Sequence, residues 1–520
     1  MPTPLTQPQF DVLHALVRAG DALTQRQIHE ATGMSPESVN AAVRELEARG
    51  CVVDRRIADA GLEALEPYRV SNAIIMAAGL SERFAPISYE RPKGTLRVRG
   101  EILIERQIRQ LHEAGIADIT VVVGYKKEYF FYLAEQFGVT IVINDEYLVR
   151  NNNGSLWRVR KRLGNTYICS SDDYFTSNPF EPYAYRAYYS AQYVEGPTQE
   201  WCISTGPDDR ITGATVGGRD AWTMLGHAYF DRAFSAAFTR ILEEVYDLPR
   251  TAPLLWESIY LDHIEELDMV IRRYPAGMIN EFDSVDEIRS FDPMFMENVD
   301  SKVFDTISSA LGCAKSQIRD FYPLKQGITN LSCYFAVDDR EYVYRHPGIG
   351  TDKIIDRRAE TAALELAGRL GLDRTFLASD PAEGWKISRF IPRARNLDVT
   401  DDAELARAMR MGRALHDSGE HLDRVFDPVT EGLRYESVLA RSGPIDVPGY
   451  AELRDRVMRL KECADADGFP RVPSHNDFFH LNFLVGEWLF IYYRHAADHV
   501  DRLLAEYESA ARATVKGARA

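Results

Sequence analysis

The sequence has no apolar run close to the ~20 residues that a membrane-spanning helix needs, and it lacks a basic and then apolar segment at its N-terminus. Its six cysteines lie far apart without a Cys-x-x-Cys pair, which excludes a disulfide framework and is typical of a reduced compartment. Positive charge is outnumbered, with 61 Lys or Arg against 78 Asp or Glu, and the formal net charge of −17 argues against nucleic acid or an anionic membrane as the main partner. These absences predict a cytoplasmic protein and leave room for a small anion held locally.

The remaining composition is that of a globular protein, with 45% hydrophobic and 27% charged residues. A chain of 520 residues is too long for one hydrophobic core, so several domains are expected. Changes in sequence pattern divide it into residues 1–70, 71–297 and 298–520. Internal repeats and low-complexity tracts are absent, so each segment is interpreted separately.

Residues 1–70 are predicted to form three helices and a short hairpin, an order similar to a winged helix. Thr24 with Gln27 predicts a capping box, and Ser35 before a proline predicts a helix start. The runs CVVDRRI and EPYRV are predicted as two strands around a turn at Gly61. Seven Lys or Arg stand against ten Asp or Glu in this segment. Because DNA binding needs a basic surface, a docking or regulatory module is favoured, with DNA binding as the alternative.

The second segment alternates β-branched runs with helical ones. The predicted strands are NAIIM, DITVVVG, VTIVIN and TYICS, and the predicted helices cover 102–114, 127–137 and 155–163. This alternation predicts a Rossmann-like α/β domain with a mostly parallel sheet covered on both faces. Such sheets bind ligands beyond the carboxyl ends of their strands.

The motif AAGLSERF follows the first of these strands. A tight turn that leaves a parallel strand exposes backbone N–H groups, and together with a helix start it forms a cradle for anions. Small residues let a phosphate approach the backbone, an arginine can bind its oxygens in a fork, and a lysine adds a point charge. The residues that carry this prediction of a nucleotide-phosphate site are Ala77, Ala78, Gly79, Ser81, Arg83 and Lys93.

With these motifs in place, the segment resembles the sugar-phosphate nucleotidyltransferases, and among them the CTP:phosphocholine cytidylyltransferases. The resemblance covers 71–293 and rests on AAGLSERF, RPKGTL, ILIERQI, VVVGYKKEYFFYL, NNNGSLW, YICSSDDYF, EWCIS, LLWESIYLDHIEELD and EFDSVDEIR, in that order. It implies transfer of CMP from CTP to phosphocholine with Mg²⁺ as cofactor. The family usually has glycine where Ser81 stands, so we expect a retained loop with slightly altered geometry.

The resemblance also implies roles for individual residues. Catalysis is assigned to Lys93, Arg83, Asp172 and Asp283, of which the two aspartates are the Mg²⁺ ligands. Asn152 and Ser155 are placed beside the pyrimidine, and Trp201, Trp256 and Glu281 around the quaternary ammonium of the acceptor. Leu255 stands at a cage position that is commonly aromatic, and Tyr260 is the candidate to compensate. The alternative for the aromatic residues is the core, and for the aspartates a helix cap or turn.

The third segment resembles the choline and aminoglycoside kinase family, through GITNLSCYF, YVYRHPG, ISRFI, LHDS and HNDFFHLN. The resemblance implies an α+β protein-kinase-like domain with ATP and choline as ligands. Its site residues would be Arg345, Glu360, His475, Asp477 and Asn482.

The family continues after this loop with a strand whose aspartate holds the nucleotide's Mg²⁺. Here the sequence GEWLFIYYRHAADHVDRLL follows, which predicts a helical, amphipathic tail without such an aspartate. The kinase-like domain is therefore expected to be C-terminally incomplete and not to transfer phosphate.

Two rival functions stay open. One is a nucleotidyltransferase for another phospho-aminoalcohol, an aminoalkylphosphonate or a sugar phosphate, and the other is a ligand-sensing winged-helix regulator.

Overall fold

The computed structural model describes residues 4–324, 330–348, 351, 355–441, 443–468, 470–475, 478–486 and 490–492. The chain divides into two compact units. The first contains the residues up to Glu82 together with Glu90–Asp300, and the second contains Arg83–Tyr89 with the residues from Ser301 onward. Apart from Arg83–Tyr89, the predicted segments 1–70 and 71–297 thus lie in one unit. None of the helices in the described part of the chain combines the length and apolar character needed to span a bilayer.

The first unit begins with the predicted winged helix. Its elements are α1 (Gln7–Ala19), α2 (Gln25–Thr32), α3 (Pro36–Ala48), β1 (Val52–Val53), β2 (Arg56–Ile57) and α4 (Asp59–Leu65). The predicted capping box at Thr24 is present, and Ser35 accepts a hydrogen bond from the Ser38 backbone N–H to start α3. The prediction that EPYRV is a strand is wrong, because Glu66–Tyr68 forms a 3₁₀ turn. Gly61 lies inside α4, where a Cβ would stand 2.4 Å from the Cys51 carbonyl oxygen.

An aromatic seam joins the winged helix to the rest of the first unit. The Tyr68 and Tyr185 rings stack with centroids 5.5 Å apart, and Phe10 packs against both. Two basic side chains of α1 lie beside Glu181, since His14 is 3.4 Å and Arg18 3.3 Å from its carboxylate. The winged helix is therefore packed as part of the first unit.

The remaining elements of the first unit build the α/β domain. In chain order they are β3 (Asn72–Ala77), β4 (Arg97–Val98), β5 (Glu101–Ile102), α5 (Leu103–Glu113), β6 (Ile119–Val123), α6 (Tyr132–Phe137), β7 (Thr140–Ile143), α7 (Asn152–Val159), β8 (Thr166–Ser170), β9 (Asp173–Phe175), β10 (Tyr188–Thr205), β11 (Ile211–Phe230), α8 (Arg232–Val245), α9 (Trp256–Asp262), β12 (Val270–Tyr274), β13 (Ile279–Glu281), α10 (Val285–Phe291) and α11 (Phe295–Asn298). All four predicted strands are present as β3, β6, β7 and β8.

Seven of these strands form one mixed sheet in the order β12-β10-β11-β8-β3-β6-β7. The pairs β3/β6, β3/β8, β6/β7 and β10/β12 are parallel, while β11 pairs antiparallel with β8 and β10. A buried apolar cluster covers each face of the sheet. A separate two-stranded ladder joins β9 to β13. The predicted Rossmann-like fold is confirmed, and the carboxyl ends of β3 and β8 lie side by side.

The second unit contains α12 (Lys302–Leu311), β14 (Ile318–Pro323), β15 (Asn330–Val337), β16 (Arg340–Pro347), α13 (Arg357–Arg369), β17 (Phe376–Ser379), β18 (Lys386–Arg389), β19 (Arg395–Asn396), α14 (Asp402–His416), α15 (Pro428–Leu439), α16 (Tyr450–Ala466), β20 (Phe483–Val485) and β21 (Phe490–Tyr492). Five strands form an antiparallel sheet in the order β14-β15-β16-β18-β17, and β19-β20-β21 form a smaller one.

Strand β21 corrects the expectation of a wholly helical tail. It pairs antiparallel with β20, with Phe483 opposite Tyr492, so a hairpin follows the HNDFFHLN loop. A two-residue-periodic pattern this short is easily read as part of an amphipathic helix. The strand sequence is Phe-Ile-Tyr and contains no aspartate. Residues 493–520 lie outside the described part of the chain.

Candidate active site

The loop after β3 has the left-handed conformation expected at the position where the resembled family usually has glycine. Ala77 and Ala78 are buried, and the Ala78 carbonyl accepts a hydrogen bond from the Tyr125 backbone N–H at 3.1 Å. Ser81 has a φ of +50°, so serine takes the left-handed conformation that glycine adopts without strain. The turn is therefore retained despite the substitution. Arg83 belongs to the segment Arg83–Tyr89 of the second unit, and its role as a phosphate ligand stays a prediction.

Lys93 lies at the centre of the candidate site. It begins a 3₁₀ turn whose Gly94 packs so closely on the loop after β8 that a Cβ there would stand 2.7 Å from the Ser171 Oγ. The Lys93 Nζ lies 2.5 Å from the Asp172 carboxylate. Burial opposes the ammonium charge, but the carboxylates of Asp172, Glu281 and Asp283 outweigh it and raise the pKa of Lys93. The lysine is thus a fixed positive charge in an acidic crevice.

The carboxylates around Lys93 differ in their partners. Asp172 accepts hydrogen bonds from Lys93 and from the Ser170 hydroxyl, which overcome the effect of burial and lower its pKa. Asp173 is buried, and burial with the charges of Glu281 and Asp172 raises its pKa well above its usual range, although Lys93 and the Ser170 backbone act in the opposite direction. The side chain of Glu281 is exposed at the crevice, but desolvation by the protein around it and the neighbouring charge of Asp172 raise its pKa to about 8.

This group of carboxylates fits a hard divalent cation. Several carboxyl groups surround the single ammonium of Lys93. The raised pKa values of Asp173 and Glu281 indicate that the positive charge nearby does not balance their negative charges. Within the described residues, three acidic, His or Cys side chains do not converge at metal-binding distance. Mg²⁺ characteristically uses only one or two carboxylates and completes its shell with phosphate oxygens and water. The residues present suit that mode of binding.

The predicted acceptor cage is only partly assembled. Trp201 is half-buried on β10, and its neighbour Glu200 contributes to the charge around Glu281. Trp256 is a core residue rather than a wall of the crevice: it is 1% exposed, with its ring stacked on Tyr189 and edge-on to Phe230. This packing fits the alternative interpretation of Trp256 as an aromatic of the core, and its role in an acceptor cage stays a prediction.

Tyr260 does not compensate for Leu255 as a cage residue. Its side chain is completely buried, and its ring packs against Phe234. The crevice near Glu281 thus contains fewer aromatic faces than the resemblance implied.

The two residues predicted beside the pyrimidine are held by bonds within the protein. Asn152 accepts a hydrogen bond from the Trp256 backbone N–H at 2.7 Å and donates one to Glu257 at 3.1 Å. Asn144 donates to the Ser155 hydroxyl at 3.3 Å. Both residues therefore brace α7, and their contact with a base stays a prediction.

Glu257 is a residue that the sequence interpretation missed. The Tyr189 hydroxyl donates to its carboxylate at 3.2 Å, and Asn152 donates to its other oxygen. Burial raises the pKa of Glu257 to about 7. The motif LLWESIY shows a glutamate next to the predicted cage tryptophan, but the sequence carries no sign of its burial.

In the second unit, the predicted pairing of Arg345 with Glu360 is present. Arg345 donates two hydrogen bonds to the Glu360 carboxylate, and Arg357 donates a third at 3.0 Å. Asn482 is buried in the 3₁₀ turn His480–Asn482, which lies directly before β20. Burial lowers the pKa of His475 to about 3. Asp477 lies outside the described residues, so its predicted role has no structural counterpart here.

Comparisons with known proteins match the first unit. The MarR family matches residues 3–61, and the MobA-like NTP transferase domain matches residues 73–169. The chain is 34% identical over 220 residues to choline-phosphate cytidylyltransferase of Streptococcus pneumoniae, covering 42% of this chain and 96% of that protein. It is 37% identical over 226 residues to 2-aminoethylphosphonate cytidylyltransferase of Lancefieldella rimae, covering 43% of this chain and 92% of that protein.

A solved structure similar to the chain is the choline kinase of Streptococcus pneumoniae, with 26% identity and a TM-score of 0.33. The alignment covers 37% of this chain and 66% of the kinase. The kinase-like assignment of the second unit rests on its own antiparallel sheet and on the Arg345–Glu360 pair.

Proposed function

The chain belongs to the cytidylyltransferase family that includes choline-phosphate and 2-aminoethylphosphonate cytidylyltransferases, and from this premise we propose that it transfers CMP from CTP to phosphocholine. A phosphate oxygen of the acceptor attacks the α-phosphorus of CTP, the bond to the β-phosphate breaks, and pyrophosphate leaves. The observation that carries the proposal is the buried Lys93 ammonium held by Asp172 beside the carboxyl ends of β3 and β8.

The residues of the crevice have separate tasks in this reaction. The backbone of Ala78–Ser81 binds the phosphates, and Lys93 stabilises the charge that develops on the α-phosphoryl oxygens. Asp172 holds Lys93 in place, so that its ammonium needs no reorganisation when the reaction occurs. Mg²⁺, when bound, would neutralise the triphosphate charge, and Asp172 and Asp283 are its predicted ligands. No covalent enzyme intermediate is required.

A smaller amine is the second candidate acceptor. Trp256 is in the core and Leu255 replaces an aromatic residue, so few ring faces are left for a trimethylammonium group. Glu281 keeps a carboxylate in the crevice, which suits an ammonium with N–H donors. These observations make an aminoalkylphosphonate or phosphoethanolamine the second candidate acceptor.

An acceptor screen tests the proposal. The full chain is incubated with CTP and Mg²⁺ and with phosphocholine, phosphoethanolamine, 2-aminoethylphosphonate or glucose 1-phosphate, and pyrophosphate release is measured. Release with phosphocholine supports the first candidate, and release only with the primary amines supports the second. Silence with every acceptor contradicts the proposal.

The second unit is proposed to lack phosphotransfer activity. Its Arg345–Glu360 pair is formed, but β21 offers no aspartate for the nucleotide's cation among the described residues. Incubation with ATP, Mg²⁺ and choline should therefore yield no phosphocholine by ³¹P NMR. Robust turnover would contradict this part of the proposal.

The winged helix is proposed to be a docking module of the enzyme. Several of its cations are engaged by acids, since Arg18 pairs with Glu181, Arg26 with Glu30 and Arg56 with Asp21. Phosphate contacts need available basic groups. A mobility shift of DNA by the full chain that weakens with salt would favour the regulatory alternative.

A further inference from the structure

Helices α15 and α16 of the second unit are joined to each other by charged side chains. The Arg454 Nε lies 2.9 Å from the Glu436 carboxylate. The Lys461 Nζ lies 2.8 Å from the carboxylate of Asp427, which caps the start of α15. Because the two partners on α16 follow the reverse order of those on α15, the helices are antiparallel. Both helices are described in full, and neither contains a buried residue.

This pair of helices carries an apolar face that is open to solvent. Large apolar side chains recur at helical spacing and are exposed: Tyr435 and Leu439 on α15, and Leu453, Val457 and Leu460 on α16. With 3.6 residues per turn, each set lies roughly 60–120° from its helix's member of the Glu436–Arg454 ion pair, in the same rotational direction. Because the helices are antiparallel, both sets project to one side of the pair. We call this side the α15/α16 face.

The α15/α16 face is more than scattered surface apolarity. A single exposed apolar side chain is ordinary on a protein surface, but several on one side of a helix pair mark an interaction site. Leu460 is 68% and Leu453 56% exposed. Packing of an apolar side supplies most of the stability of a helix in a protein, and the described residues give α15 and α16 little of it. The face therefore fits a partner with an apolar side of its own.

The second unit contains a segment with such a side. Residues 493–520 follow β21 directly and lie outside the described part of the chain. Their sequence places apolar residues at the spacing of a one-sided helix, at Val500, Leu503, Leu504, Tyr507 and Ala511, with charged residues between them. This is the amphipathic helix predicted from the sequence, and its apolar side needs a partner.

The attachment of this segment favours docking within one chain. Strand β21 belongs to the sheet β19-β20-β21, which packs on α14 through Leu397, Ala408 and Phe483. The segment therefore leaves from the same unit that carries the α15/α16 face. A short tether gives an effective concentration in roughly the millimolar range, so the tethered segment outcompetes a second copy of the chain.

We propose that residues 496–511 form a helix whose apolar side packs on the α15/α16 face of the same chain. Leu503 and Leu504 lie at the centre of that apolar side and supply its main contacts. The docked helix gives α15 and α16 the apolar packing that the described residues do not provide. This inference concerns the second unit and does not depend on cytidylyl transfer.

Amide hydrogen exchange of the full chain tests this docking. Leu503→Glu should speed exchange in α15 and α16 at least about ten-fold, since burial of one leucine side chain is worth at least that factor in a local opening equilibrium. Leu460→Glu, on the α15/α16 face, should have the same effect. Ser509→Glu adds an equal charge on the opposite side of the segment and should leave exchange in both helices unchanged.

The double variant Leu460→Glu with Leu503→Glu shows whether the two side chains act through one contact. It should exchange no faster than either single variant, because the contact is already lost in each. Exchange in the five-stranded sheet of the second unit should stay unchanged, which shows that the variants are folded. Multiplied effects of the two substitutions, or no effect of Leu503→Glu, overturn the inference.

Dilution separates docking within one chain from pairing of two copies. Protection of α15 and α16 in the unaltered chain should survive about a hundred-fold dilution, because a tethered segment keeps its effective concentration. Protection that is lost on dilution would assign the α15/α16 face to a second copy of the chain and would overturn the inference.

Discussion

Lys93 and Asp172 form an ion pair in which the Nζ and a carboxylate oxygen are 2.5 Å apart and both side chains are largely buried. The lysine belongs to RPKG and begins a 3₁₀ turn, and the aspartate follows the end of β8, so the pair joins two segments that are far apart in the sequence. Because a buried charge is stable only with a partner, each residue fixes the other. The pair holds the Lys93 turn against the loop after β8, and its lysine is the proposed source of positive charge for the phosphates.

Lys93→Ala should lower kcat/KM for CTP at least about 100-fold, because a preorganised charge that stabilises the transition state typically contributes 10²–10³. It also leaves Asp172 without its cation, which should reduce the free energy of unfolding by about 3 kcal/mol. Pyrophosphate release and denaturant unfolding measure the two effects. Lys127→Ala, at an exposed lysine of the same unit, should change neither. Full activity of Lys93→Ala would show that the site is elsewhere.

Ser81→Gly should raise the free energy of unfolding by about 0.5 kcal/mol, since relief of ~1 kcal/mol of left-handed strain is partly offset by the greater freedom of glycine in the unfolded chain. Ser71→Gly is the matched control, because Ser71 does not have a positive φ, and it should lower stability by a similar amount. Chemical denaturation of both variants gives the sign. A loss of stability at Ser81 would mean that its hydroxyl makes a contact worth more than the strain.

The sequence was sufficient to predict the elements whose cause is local. Runs such as ITVVV form buried strands because β-branched residues suit a sheet covered on both faces, and Thr24 caps α2 with atoms three residues away. The loop of Ser81 was predicted for the same reason, since its backbone conformation belongs to the turn itself.

Residues whose burial the sequence did not predict depend on contacts distant in the sequence. Trp256 is in the core because Tyr189 and Phe230 meet it there, and aromatic residues carry no sign of whether they face a core or a ligand. Asp173 is buried because β9 pairs with β13, more than a hundred residues away. Tertiary pairing of this kind has no local signature.

Glu257 should make stability depend on pH. Because burial raises its pKa to about 7 in the folded chain, the folded state binds a proton that the unfolded state has lost above its ordinary pKa of 4.5. The contribution of Glu257 to stability is therefore fully present below pH 4.5 and falls as the pH rises towards 7, by up to about 3 kcal/mol. Glu257→Gln should remove this slope, as followed by unfolding at several pH values.

The matched control for this slope is Glu265→Gln, an exposed glutamate of the same unit, which should retain it. An unchanged slope in Glu257→Gln would assign the pH dependence to another group of the crevice.

Glu181→Gln should loosen the winged helix without unfolding the sheet. His14 and Arg18 both lie beside the Glu181 carboxylate, and although burial acts against its charge, these two neighbours lower the pKa of Glu181. Neutralising Glu181 should lower the local stability of α1 by about 2 kcal/mol. This corresponds to roughly 30-fold faster amide hydrogen exchange in α1. Acid should mimic the variant, because the stabilisation is present above the unfolded pKa and is lost as the pH falls through the pKa of folded Glu181.

The control for Glu181 is Glu30→Gln, which breaks an exposed pair with Arg26 and should change exchange in α1 by less than about three-fold, since surface pairs are typically worth under 1 kcal/mol. In Glu181→Gln, one outcome is amide exchange that becomes faster only in the winged helix. That result would show that stacking of Tyr68 on Tyr185 needs the ion pair of Glu181 to keep the winged helix packed on the first unit. Equal exchange in both variants would mean that aromatic packing alone is sufficient, and the docking proposal would then rest on the seam. Faster exchange throughout the seven-stranded sheet would instead show that the winged helix is part of the cooperative core of the first unit.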